Sequence, residues 1–259
     1  MSVYRLRIAL LAWFLLSPAG MAAPLQLTLS VNDEARQFLI DTGQQIIVVL
    51  PEPSSPTEAM VVAVALELPL VDSAELILEL DRELYVSNQW VLPLGEVVMS
   101  ASHSAQTGRA YRFDGRSISE DGAGLPGYLS LYFDAPPNAR PVQAGLAGFV
   151  YWKAAGRAEH PSPLRYFTAQ RMQTQIVAST EPLLWVFVGS GIGNGSTLPR
   201  ALLRPAAPVL TSAPRVAARP TSLQFGRYAA VKPSAGNTTI LHFDLALGAF
   251  VEGPYPQTP

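Results

Sequence analysis

The chain has 259 residues, a formal net charge of −2 and 15% charged residues. That balance supplies neither a basic stripe to neutralise phosphates nor a polybasic membrane anchor, so no nucleic-acid partner is expected. There is no cysteine, which removes disulfides, thiolate metal ligands and a cysteine nucleophile.

At the start, Arg5 and Arg7 precede nine consecutive apolar residues, 8–16, and Ser17-Pro18 ends the run ahead of small residues. Basic, then apolar, then small is the order of a secretory signal peptide. The run is far short of the roughly 20 apolar residues of a spanning helix. Residues 1–22 are therefore expected to be removed after Ala22, leaving a secreted or periplasmic protein with no integral membrane span. Of 18 basic residues only Lys153 and Lys232 are lysine, a bias that fits a GC-rich bacterial source. An exported chain without cysteine forgoes disulfides where they are permitted, so its stability must come from packing. The remainder is long enough for one large β domain or two closely packed ones.

From residue 25, Leu25, Leu27, Leu29 and Val31 alternate with polar residues, the period of two that puts one strand face in a core. The same alternation returns at Leu76, Leu78 and Leu80, at Leu129, Leu131 and Phe133, and around Ile240 and His242. Residues 46–50 and 60–66 are apolar on both faces and rich in valine, as suits central strands. Turn-formers separate the runs at 51–56, 121–124, 135–138 and 189–195. No sustained 3.6-residue period is present, and a short helix is expected only over 166–176. The pattern predicts an all-β protein, an antiparallel sandwich or barrel, with an N-terminal β region at 23–134 and a C-terminal one at 135–259. Prolines at 199, 205, 208, 214 and 220 make 199–220 a connection or edge, and the tail after it completes the preceding sheet.

The sharpest local motif is Asp41-Thr42-Gly43 between apolar runs at 38–40 and 46–50. The segment resembles the active-site strand and turn of retropepsin-like aspartic peptidases. The resemblance implies that Asp41 is catalytic and that a homodimer brings two such carboxyls together to share a proton. The same tripeptide also has the composition of a simple hairpin turn.

Other constellations are read structurally. The glycine-rich 189–195 does not match the spacing of a dinucleotide loop and reads as a hairpin loop, so no cofactor is expected. Glu67, Glu75, Glu79, Asp81 and Glu83 form an acidic strand face if pairing is continuous. His103, His160 and His242 are isolated, and no metal site is expected. Tyr128, Tyr132, Tyr151 and Trp152 lie on or beside strands and are the candidate binding residues, because exposed aromatic rings grip sugars, lipid headgroups and protein partners. The expectation is an exported bacterial β-protein, adhesin- or toxin-like, that binds a glycan, lipid or protein. The alternative is the dimeric aspartic peptidase.

Overall fold

The structure, a computed structural model, describes residues 23–51, 60–90, 92–134, 140–170, 172, 174–178 (backbone only), 182–206 and 226–256. The expected signal segment, residues 1–22, and residues 207–225, which include 207–220 of the proline-rich connection, lie outside the described residues.

In chain order the elements begin with β1 (Leu25–Ser30), helix α1 (Asp33–Asp41), β2 (Gln45–Val49), β3 (Met60–Leu66), β4 (Ser73–Ser87) and β5 (Ala101–Ser104). Next come β6 (Arg109–Phe113), β7 (Ile118–Ala123), β8 (Tyr128–Phe133), β9 (Val142–Trp152), β10 (Ser162–Ala169) and β11 (Thr174–Ala178). The last are β12 (Leu184–Gly189), β13 (Thr197–Pro199), β14 (Arg204–Pro205), β15 (Arg227–Val231), β16 (Thr238–Asp244) and β17 (Ala249–Glu252).

The fold is all-β, built from three curled sheets. The largest runs β10-β9-β4-β1-β16-β17 with β5 added to β4; the second runs β11-β8-β6-β7; the third runs β13-β3-β2-β12-β15-β14. The sheets are mixed rather than purely antiparallel: β1 with β16, β6 with β8, and β14 with β15 pair parallel. A parallel pair needs a crossover connection, and the chain supplies one by returning late to the flank of its first strand. Each sheet mixes strands from either side of residue 134, so the two expected regions are interleaved in space.

The period of two is realised in β1, where Leu25, Leu27 and Leu29 are buried and the residues between them half-buried. With Leu76 and Leu78 of β4 and Leu241 and Phe243 of β16 they face Ile46, Val48 and Val186 of the third sheet in the main core. The valine-rich β2 and β3 are interior strands of that sheet, as their two-faced apolar character predicts. The later half of β4 (Leu84, Val86) and Ala144 and Leu146 of β9 instead pack against Tyr111, Phe113, Leu129, Leu131 and Phe133 of the second sheet. Between these two halves β4 bulges from Glu79 to Glu83, opposite Phe149–Ala147 of β9, and β10 bulges from Pro163 to Arg165, opposite Ala147–Leu146. Bulges bend a sheet and increase its twist, and here two neighbours of one strand bend at one level.

Three local expectations are corrected. Residues 38–40 are the end of helix α1, not a strand. Asn32 caps the helix by accepting from the Ala35 N–H at 2.9 Å, Asp33 and Glu34 occupy its first turn, and Ala35 and Leu39 are buried one turn apart. Within the expected helix over 166–176, residues 166–169 belong to β10 and 174–176 to β11, strand rather than helix: β9 offers an open edge, and pairing with it satisfies the backbone of β10 while burying Leu164. The glycine-rich 189–195 is not a hairpin loop, because β12 and β13, which it joins, have β2 and β3 between them. It crosses that gap with Gly195 N–H donating to the Ala63 carbonyl at 2.8 Å.

Candidate functional site

The candidate residues Tyr128 and Tyr132 lie on the outward face of the second sheet. Strand β8 turns Leu129, Leu131 and Phe133 into the core, so the alternate positions face away. Tyr128 is 42% exposed and Tyr132 half-buried. Strand β6 does the same, burying Tyr111 and Phe113 and leaving Arg112 between them outward.

Because β6 and β8 run parallel in register, Arg112 is the direct partner of Tyr132. Its Cζ lies 5.7 Å from the centre of the tyrosine ring. Nη1 donates to Asp134 Oδ2 at 3.0 Å and Nη2 to Asp121 Oδ2 at 3.1 Å. Asp134 is placed just past β8, where its N–H continues the ladder to the Phe113 carbonyl. Asp121 comes from a bulge: the register steps from Ala110 opposite Gly122 to Tyr111 opposite Glu120, and the skipped aspartate reaches Arg112. The hydrogen bond to Asp121, with its charge and that of Asp134, holds the Arg112 guanidinium above its ordinary value. Tyr132 Oη donates to Met172 Sδ at 3.0 Å.

This face combines two aromatic rings, a guanidinium and two carboxylates, with Arg112, Asp121 and Asp134 all about two-fifths exposed. Carboxylates tied to one arginine keep further lone pairs for ligand hydroxyls, and a tyrosine ring offers an apolar surface with a polar tip. Arg112, Asp121 and Asp134 escape a search for aromatics. The available signal is Tyr111-Arg112-Phe113, an arginine alternating with two core rings.

The other two candidate residues are committed internally. Tyr151 Oη donates to Glu79 Oε1 at 3.0 Å beside the β4 bulge, and Trp152 Nε1 donates to the Glu67 carbonyl at 2.9 Å while its ring packs on the main core. They are not brought onto the face that carries Tyr128 and Tyr132.

Asp41 is the last residue of α1, exposed, with Oδ1 accepting from Gln37 Nε2 at 2.7 Å. Gly43 has φ +63°, its N–H donates to the Ile40 carbonyl at 3.0 Å, and Gln44 N–H donates to the Leu39 carbonyl at 2.8 Å. These two bonds with a left-handed glycine are a Schellman ending. Asp-Thr-Gly here closes a helix, whereas the peptidase resemblance implies a turn between two strands.

The acidic run is dispersed by the β4 bulge and by partners. Glu75 accepts from Lys153 Nζ at 2.6 Å, which holds its carboxyl below the usual range. Glu79 is flanked by Tyr151, Arg82 and Arg157. His103 and His242 donate from Nδ1 to the carbonyls of Ser104 and Gly253. Among the described residues no group of three or more His, Asp and Glu side chains could hold a metal ion, and no helix is long and apolar enough to cross a membrane.

One further surface was not singled out from the sequence. Trp90, Leu92 and Leu94, in the loop after β4, are 63%, 69% and 64% exposed. The signal for it is a stretch with no charged residue between Glu83 and Glu96.

Comparison with protein-family models, curated proteins and solved structures finds no match to this chain.

Proposed function

We propose that this is an exported protein that acts by binding, with the outward face of the second sheet as its ligand face and a polyhydroxylated glycan as its ligand. The observation that carries the reading is the register partnership of Tyr132 with Arg112, which places an aromatic ring beside a guanidinium that gathers Asp121 and Asp134. Sugar rings present alternating apolar C–H faces and hydroxyls, which a ring flanked by carboxylates matches. The groups sit on strands of a packed sheet, so little ordering is needed on binding.

The test is a glycan panel probed with the mature chain, followed by titration of any hit with Tyr132→Ala, Tyr128→Ala and Arg112→Ala. Each tyrosine truncation should weaken binding by about 1–2 kcal/mol, roughly tenfold, and Asp41→Asn should leave it unchanged. Absence of any glycan ligand, or ligands held equally well by the Tyr132→Ala and Arg112→Ala variants, would remove the reading.

A further inference from the structure

A second surface is built for a different contact. The loop carrying Trp90, Leu92 and Leu94 displays three large apolar side chains at about two-thirds exposure each, more than the scattered single exposures ordinary on a soluble surface. It does so on a fixed frame. Thr197, fully buried at the start of β13, donates from Oγ1 to the Leu92 carbonyl at 2.8 Å. Its carbonyl accepts the Leu94 N–H at 2.8 Å, and its N–H donates to the Gly95 carbonyl at 2.8 Å. Gly95 N–H turns back to the Leu92 carbonyl, also at 2.8 Å. On the incoming leg, Asn88 N–H donates to Ser100 Oγ at 3.1 Å and Ser87 Oγ to the Gln89 carbonyl at 3.1 Å. Leu94 is held at φ +64°, a left-handed conformation that a leucine rarely adopts. Apolar side chains on a free loop can fold back onto the protein; the backbone that carries Leu92 and Leu94 is held in place.

We infer that this loop is an interfacial anchor that inserts Trp90, Leu92 and Leu94 into the headgroup and upper acyl layer of a lipid bilayer. Three features select a bilayer over a protein groove. The loop has no charged side chain between Glu83 and Glu96, so entering a low-dielectric layer desolvates no ion. Its turn at Leu92–Gly95 has several backbone groups already occupied: Pro93 has no N–H, the Leu94 and Gly95 N–H groups are bonded, and so are the Leu92 and Gly95 carbonyls. The chemistry is a tryptophan beside leucines, apolar bodies with one polar tip, which is what the bilayer interface accepts. The surface is separate from the tyrosine face, and the inference stands or falls without it. With no cationic residue in the loop, binding is hydrophobic and independent of anionic lipid.

The test is co-flotation of the mature chain with phosphatidylcholine vesicles, alone and with added phosphatidylglycerol, at low and high salt, with tryptophan emission followed in parallel. Expected are binding to both vesicle types, little salt dependence, and a blue shift that Trp90→Phe abolishes while binding persists. The double variant Leu92→Ser/Leu94→Ser should lose affinity by about tenfold or more with an unchanged unfolding midpoint, since both side chains are exposed in the fold. No flotation with phosphatidylcholine, binding that requires phosphatidylglycerol and vanishes in salt, or a double variant that binds like the parent would each overturn the inference. A protein captured through the loop without vesicle binding would reassign it to a protein partner and overturn the inference as well.

Discussion

Tyr85 occupies the space that Gly145 leaves open. A Cβ on Gly145 would lie 1.9 Å from the Arg165 carbonyl oxygen and 2.6 Å from Tyr85 Oη, and with no Cβ present that hydroxyl donates to the carbonyl at 2.8 Å. Three strands, β4, β9 and β10, are thereby tied at the place where the largest sheet bends. Gly145→Ala should destabilise the fold by about 3 kcal/mol or more, because backbone must move. Tyr85→Phe should cost about 1–2 kcal/mol, the loss of a buried hydrogen bond to the Arg165 carbonyl. Urea unfolding of both variants checks the order, and an alanine variant as stable as the parent would refute the close approach.

The capped helix gives a second prediction. Gly43→Ala forces a side chain into the left-handed region and Asn32→Ala removes the N-cap acceptor, so each should cost about 1 kcal/mol. Asp41→Asn, at an exposed helix end, should change stability by less than about 0.5 kcal/mol. Were the tripeptide a strand-to-strand turn, Asn32→Ala would have no such cost.

Burial raises the hydroxyl pKa of Tyr151, Tyr111, Tyr228 and Tyr255 above the ordinary tyrosine value of 10.0. For Tyr151 the bond to Glu79 acts in the same direction. Above pH 10 the unfolded chain has released protons that the folded chain retains, so stability is full below pH 10 and falls as pH rises through the folded values. Alkaline unfolding should therefore accompany the rise in tyrosinate absorbance, and Tyr151→Phe should shift its midpoint upward. A midpoint unmoved by that change would mean Tyr151 is not coupled to the fold.

Thr197→Val tests the frame of the exposed loop. It keeps the volume and β-branching of a fully buried residue but removes the donor to the Leu92 carbonyl. We expect a loss of about 1–2 kcal/mol and faster hydrogen exchange at the Leu94 and Gly95 amides, with exchange in β2 and β12 slowed or quickened only in proportion to global stability. Unchanged protection at both loop amides would mean the loop does not depend on Thr197.

Much of the strand content could be read directly. Leu25, Leu27 and Leu29, and Leu129, Leu131 and Phe133, reach the core as their alternation demands, because a strand exposes its two faces by strict parity. Helix α1 was harder to read. Its buried face is little more than Ala35 and Leu39, supported by Phe38, so the 3.6-residue period has one turn in which to show itself. Its caps, Asn32 and Gly43, are the stronger signal. Of the four aromatic candidates, Tyr128 and Tyr132 could be placed outward by parity with their buried neighbours, whereas the engagement of Tyr151 with Glu79 depends on a contact 72 residues away in sequence.

The amino-acid sequence by itself determined the all-β class, the alternating core faces and the absence of disulfides, because these depend on residue type and on spacing within single strands. Tertiary structure alone decided which strands pair parallel, that Arg112 stands beside Tyr132, and that Thr197 holds the loop of Trp90, Leu92 and Leu94. Each of those is a relation between segments far apart along the chain, fixed by the register of neighbouring strands and by the bulges that bend them.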